Sequence, residues 1–395
     1  MLAKWYADWM IRWETELTTR DTNRVVRPLE WGFDWLADFS PLAAESREDS
    51  PDALSRMVAI NQDIVARGEE FYGYTTPTDF RLEERHPELF PTNVRPETLA
   101  QAQQVRDDAA SGKLNPARFL RFTSPVRTKY PENDIVNARW YPETPHKDPK
   151  RKKQAIIVMP QWNADAFSHN ALCSIYNKFG VAALRLSKPY HDIRRPAELE
   201  RSDYAVSSNV GRTIAACRQA VHDIRACVDW LQSQGYEQFG VMGTSLGSCY
   251  AFMAAAFDPR LQVCAFNHAS TNFGDVLWQG QSTRHVQAAF ERAGITQDQV
   301  RAIFMANSPS SVMDRFAADK TRQSLVIYAP WDLTFPRALS LDVLANFKAR
   351  GVNFESRILP CGHYTTGESP FKFIDGWYLG SFIHRAYKKM RERAI

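Results

Sequence analysis

The sequence predicts an α/β protein with a mostly parallel central sheet and helices on both faces, and three observations carry that prediction. From about residue 118 onward, short apolar strand candidates alternate with helical patterns. Ala155-Ile-Ile-Val-Met159 is a continuous apolar run, the signature of a strand buried on both faces. Ile214, Cys217, Val221, Ile224, Val228 and Leu231 recur at spacings of three and four, an amphipathic helix that Gly235 closes.

Taken in order, residues 1–120 read as an N-terminal helical extension. Trp5, Trp9 and Trp13 recur every fourth residue along one slowly drifting helix face. They are expected to form a packing stripe; exposed, they would mark an interface with a second subunit or a membrane. The polar residues of this helix are mixed in charge (Lys4, Asp8, Arg12, Glu14), unlike a membrane-surface helix. Turns at Arg85-His-Pro87 and Phe90-Pro91 precede a Gln- and Ala-rich helix that runs to Ser111-Gly112. Residues 121–395 read as one domain. Phe119 to Val126 and Ile135 to Tyr141 form an expected antiparallel pair, followed by an exposed, solvated basic loop from His146 to Lys153. After the run at 155–159 come a helix from about Phe167 to Phe179, ended by Gly180, and a strand from Val181 to Leu186. Phe239 to Met242 is the next strand, with a small-residue helix behind it. Leu261 to Phe266, Ser324 to Tyr328 and Phe354 to Leu359 complete the strands, and residues 270–320 between two of them are a helical insertion.

Composition excludes several functions. Lys+Arg 49 against Asp+Glu 45 is a net charge of +4, too small for a nucleic-acid binder driven by bulk charge. No apolar run is long enough to span a bilayer, and the N-terminus lacks a secretory pattern. A cytoplasmic protein is therefore expected, with neither nucleic acid nor membrane as a partner. The six cysteines contain no Cys-x-x-Cys pair and read as free, buried thiols. Neither closely spaced ligands nor a His-Glu-x-x-His motif is present, so no metal and no cofactor is expected. Any self-association is expected through the N-terminal helices, which leave the 11 tryptophans partly unassigned.

The chemistry concentrates at Gly243-Thr244-Ser245-Leu246-Gly247, where a strand runs straight into a helix. A nucleophile must project from a tight, strained turn that tolerates only small neighbours, and Gly243 and Gly247 supply them. The turn aims the Leu246 N–H and the helix N-terminus at an oxyanion forming on a substrate. A serine needs a base. His363, in Pro360-Cys-Gly-His-Tyr364 just past the last apolar strand, is the first candidate, and His268 at another strand end is its rival. The orienting acid is expected to be Asp332, immediately after a strand, with Asp275 as runner-up.

Strand–Gly243-x-Ser-x-Gly247–helix, then Asp332, then Gly362-His363, resembles the α/β-hydrolase superfamily over roughly residues 120–390. Lys188-Pro-Tyr-His-Asp-Ile-Arg-Arg-Pro196 is similar to a segment in a poorly characterised group of these hydrolases. The resemblance implies the triad Ser245, Asp332 and His363, and a serine hydrolase that cleaves a carboxylic ester through an acyl-enzyme. Peptidase, amidase or thioesterase chemistry uses the same triad, and a non-catalytic binding protein on this fold is a further alternative. The superfamily takes its other oxyanion donor from the loop after its third strand, usually glycine-rich; here Met159-Pro160-Gln161-Trp162-Asn163 stands in that place. By position the donor is the Trp162 N–H, with Gln161 as alternative. The insertion at 270–320 is implied to be a cap. Gln161, Trp278, Trp331 and Tyr364 are candidate substrate-binding residues, and a small acyl ester is the expected ligand.

Overall fold

The buried run at 155–159 becomes one of nine strands in the computed structural model, which describes residues 2–93, 95–144 and 151–393. Most of the basic loop expected at 146–153 lies outside the described residues. The strands are β1 (Arg81–Arg85), β2 (Ala117–Thr123), β3 (Ile135–Tyr141), β4 (Lys153–Met159), β5 (Ala182–Leu186), β6 (Tyr236–Thr244), β7 (Leu261–Asn267), β8 (Gln323–Tyr328) and β9 (Phe354–Ile358). The chain divides into two compact units. One comprises Gly73–Ala205, Arg218–Cys264 and Gly380–Ile395; the other comprises Met1–Tyr72, Val206–Cys217 and Ala265–Leu379.

In the first unit the strand order is β1-β2-β3-β5-β4-β6. The first three strands and β5 pair antiparallel, whereas β5, β4 and β6 run parallel. The parallel strands are buried because helical crossovers such as Asn170–Lys178 return the chain across the sheet. The small residues of β6 have a local reason: Tyr387 donates its hydroxyl to Ala155 O at 2.6 Å, and a Cβ on Gly240 would lie 2.6 Å from that hydroxyl. One strand, β1, lies inside the stretch expected to be helical and irregular. Its sequence Arg-Leu-Glu-Glu-Arg has no apolar period; the backbone ladder to β2 and ion pairs of Glu83 with Arg81 and Arg121 hold it at an edge. In the segment after β5, Arg194 is fully buried. Its guanidinium donates to Asn133 O, Ser187 O and, at 2.8 Å, the Asp223 carboxylate. Removing one partner of such a pair costs about 3–5 kcal/mol, so this loop is rigidly built.

In the second unit β8 and β9 pair in parallel. The insertion at 270–320 is helical, with helices Phe273–Gln279, Arg284–Arg292, Gln297–Ile303 and Met313–Ala318, and Thr296 forms the capping box with Gln299. Residues from the N-terminal region pack here: Asn61 Oδ1 accepts the Ala306 N–H at 2.9 Å, and the Tyr72 hydroxyl donates to Ala306 O. The first helix, Leu2–Thr19, buries Met10, Glu14, Leu17 and Thr18. That stripe lies across the helix from Trp5, which is 62% exposed, while Trp9 and Trp13 are half-buried. The three indoles pack on one another at 6.5 and 5.2 Å, and Trp13 reaches Phe371. The tryptophans thus flank the docking face, which Met10, Glu14, Leu17 and Thr18 occupy. All six cysteines are free and buried. Among the described residues no helix is long and apolar enough to cross a membrane.

Candidate active site

Ser245 stands between the last residue of β6 and the first residue of the helix Leu246–Phe257, in the first unit. Its backbone is at φ 58°, ψ −122°, a conformation costing of order 1–3 kcal/mol for a side-chain-bearing residue. Both flanking glycines are obligatory for close approach. A Cβ on Gly243 would lie 2.1 Å from Gly247 O, and one on Gly247 would lie 2.2 Å from Met159 O. The elbow therefore abuts the loop after β4 with no side-chain thickness between them. In that loop the Trp162 indole donates to Ser202 O at 3.0 Å, and Asn163 takes a positive φ of 59°. Gln161 is half-buried beside it. His169 sits next to the elbow, its Nε2 2.9 Å from Thr244 Oγ1, but burial, with Arg185 and Lys188 nearby, pushes its pKa down to about 3. A ring so hard to protonate is a poor general base.

The second unit holds an acid between two histidines. Asp332 Oδ2 lies 2.8 Å from His268 Nδ1 and 2.9 Å from His363 Nδ1. Its Oδ1 accepts the N–H groups of Thr334 and Phe335, which lock the carboxylate in the loop after β8. Burial alone would raise the Asp332 pKa; the two histidines outweigh it and hold it well below the usual carboxylate range. The expected acid and base are thus brought together, and the rival His268 joins the same carboxylate. Runner-up Asp275 is committed elsewhere, to Gln297 and Arg301.

The two imidazoles are not equivalent. His268 is fully buried, with Nε2 on Thr366 Oγ1 at 3.0 Å and a pKa depressed by burial. Burial thus favours its neutral form, and facing a carboxylate its Nδ1 is the donor. His363 is only partly buried and stacks on Phe335. Burial would depress it too, but Asp332 and then Glu14 raise it above its ordinary value. The His268, Asp332 and His363 donor atoms lie within 4.8 Å of one another, close enough to hold an ion in principle. The separations of 2.8 and 2.9 Å to one oxygen are hydrogen-bond lengths with ring N–H groups between, which fits proton handling better than metal ligation. Replacing His268 with Asn should leave the plateau rate within about tenfold, far from the 10²–10⁴ that loss of a general base costs. It concentrates the Asp332 charge on His363, raises that ring's pKa, and moves the acid limb of the pH–rate profile to higher pH.

Glu14 is the site residue that sequence patterns missed. Its buried carboxylate accepts the N–H of Tyr364 at 2.9 Å and of Thr365 at 3.0 Å, together with the Thr365 hydroxyl. These N–H groups open a short 3₁₀ turn, Thr365–Gly367, that leaves them without acceptors of its own. Gly362 has no room for a Cβ: one would lie 2.4 Å from a Glu14 oxygen. The first helix thereby holds the loop of His363. Its signal was an acidic residue on the otherwise apolar Met10-Glu14-Leu17 stripe. Burial raises the Glu14 pKa, against the backbone hydrogen bonds and His363, which lower it. Glu14→Gln should cost about 1–3 kcal/mol in denaturant unfolding, the penalty for weakening buried hydrogen bonds. It also removes a charge that raises the His363 pKa. For a base that acts when neutral, the acid limb should then move to lower pH.

The candidate substrate-binding residues scatter within this frame. Trp331 packs edge-on against Tyr6, and the Tyr364 hydroxyl accepts a guanidinium N–H of Arg24. Trp278 is half-buried on the helix Phe273–Gln279.

With this geometry in view, residues 92–327 match the family model described as alpha/beta hydrolase domain containing 18. The chain belongs to this family. Comparison with curated proteins found no match. Solved structures agree on the α/β-hydrolase fold. Acetyl xylan esterase 1 from Thermoanaerobacterium sp. JW/SL YS485 aligns at TM-score 0.54 and 14% identity, over 85% of this chain and 94% of that one. An acylaminoacyl peptidase from Pyrococcus horikoshii aligns at TM-score 0.53 and 13% identity over 71% of this chain; the alignment spans only 43% of the peptidase. At these identities the likeness is one of fold.

Proposed function

We propose that this α/β-hydrolase family member is a serine hydrolase that cleaves a carboxylic ester through an acyl-enzyme. The observation that carries the reading is the backbone of Ser245, held at φ 58° between two glycines that pack directly on backbone oxygens. A strained serine at the head of a helix has no structural use that a glycine would not serve better.

In this reading Ser245 Oγ attacks the acyl carbonyl while His363 Nε2 takes its proton. Asp332 holds the opposite ring edge through Nδ1–H, fixing the tautomer and balancing the imidazolium. The Leu246 and Trp162 N–H groups receive the oxyanion, and loss of one such donor costs about 10²–10³ in rate. His363 then returns the proton to the leaving alkoxide, and a water activated by the same ring releases the acid. The insertion at 270–320 serves as a cap, and Gln161, Trp278, Trp331 and Tyr364 contribute to the acyl pocket. A largely uncharged acyl ester fits the near-neutral net charge of +4 and a cytoplasmic site of action.

The test is covalent labelling with a fluorophosphonate, followed by peptide mass spectrometry. A phosphonate on Ser245, absent from Ser245→Ala, is the expected result; a folded protein that takes no label overturns the reading. A panel of p-nitrophenyl esters, thioesters and aminoacyl-anilides then separates esterase from thioesterase and peptidase activity.

A further inference from the structure

The peptide unit joining Gln161 to Trp162 is held at its carbonyl end by two donors. Gln161 O accepts the Ala164 N–H at 3.1 Å and, at 2.8 Å, a proton of Lys188 Nζ. The same peptide unit carries the Trp162 N–H. An amide whose carbonyl is hydrogen-bonded, especially to a cation, is polarised and becomes a stronger donor at its nitrogen.

We propose that Lys188 is a positioning residue of the oxyanion hole: from behind the Gln161–Trp162 peptide it fixes the loop and strengthens the Trp162 N–H toward the substrate oxyanion. This rests on the reading of Ser245 as the acyl-forming nucleophile.

The burial of Lys188 argues that it serves a purpose there. Lysine is almost never fully buried unless paired, yet this side chain is 1% exposed. Burial opposes its charge, Arg185 adds to that opposition, and Asp192 offsets part of it. The surroundings are built to hold it in place. Arg185 and Ser187 both donate to Asp192, Arg194 ties Ser187 O to Asp223, and Tyr190 and Asp192 take positive φ values of 62° and 59°. Such strain persists only where neighbours over-determine the backbone. On the other side, Gly247 meets Met159 O and Pro160 O, so the loop that Lys188 holds is the one against which the elbow packs. Elbow, loop and lysine all belong to one compact unit.

The test compares wild type, Lys188→Met and Lys188→Gln by the rate of fluorophosphonate labelling and by kcat and KM on p-nitrophenyl acetate. Lys188→Met should label and turn over about 10–100-fold more slowly, short of the loss of a whole donor, with KM little changed. Lys188→Gln, which keeps a neutral donor, should fall between the two. Gln161 O retains the Ala164 N–H in both variants, so no buried acceptor is orphaned and the thermal unfolding midpoint should hold. If it drops in Lys188→Met, Lys188→Gln at an unchanged midpoint decides. Labelling at the wild-type rate, or a loss confined to KM, overturns the role of Lys188 and leaves the nucleophile standing. Failure of wild type to label overturns the nucleophile instead.

Discussion

Ser245→Ala should lower turnover of an acyl ester by about 10⁴–10⁶, the loss seen when the nucleophile of a serine triad is removed. The same change should leave the fold intact. The Ser248 N–H and hydroxyl both bond to the Ser245 carbonyl, at 2.8 and 2.7 Å, and neither depends on the Ser245 side chain. Alanine inherits the strain at φ 58°, so its unfolding midpoint should match wild type. Ser245→Gly should instead gain about 1 kcal/mol or more as the strain is relieved, while losing the same activity. Equal turnover by wild type and Ser245→Ala in a p-nitrophenyl ester assay would refute the nucleophile. A rise in stability without activity for Ser245→Gly would identify the elbow as strain held for chemistry.

Asp332→Asn should cost about 10⁴ in turnover with little change in structure. Its oxygens divide the labour: Oδ1 caps the turn through the Thr334 and Phe335 N–H groups, and Oδ2 takes one N–H from each histidine. Asn can keep the first role but presents an NH₂ to the second. His363 must then turn its bare nitrogen toward position 332 and carry its proton on Nε2, where it cannot accept one from serine. The charge that lifted the His363 pKa is also gone, so burial dominates and the ring titrates below its ordinary value. Because the base works when neutral, the acid limb should move to lower pH even as the plateau falls. A full pH–rate profile of Asp332→Asn beside His268→Asn separates the roles, since the two limbs move in opposite directions.

Much of the fold was legible because its elements carry strong local signals. The buried run at 155–159 and the spacing from Ile214 to Leu231 appear as β4 and the helix Val210–Ser233 with boundaries shifted by a few residues. Strand β1 carries no such signal, since an edge strand with charged side chains on both faces is written by its partner's backbone. The Trp stripe misled for a related reason. Aromatic spacing shows that residues share a helix face but not which face is buried, and here the buried face is that of Met10, Glu14, Leu17 and Thr18.

The candidate site divides along the same line. The local sequence around Ser245 determined the elbow by itself, because strand, two glycines and helix lie within a few residues of the serine. Asp332 and His363 could be named from their places after strands. Tertiary structure alone decided that His268 shares the Asp332 carboxylate with His363, since residues 268, 332 and 363 meet only when the ends of β7, β8 and β9 are folded. It alone gave Glu14 and Lys188 their places, one on the backbone that carries His363, the other on the Gln161–Trp162 peptide. The physical reason is that both act through main-chain groups. A backbone N–H or carbonyl is the same in every residue, so the sequence holds no mark of which one a distant side chain will reach.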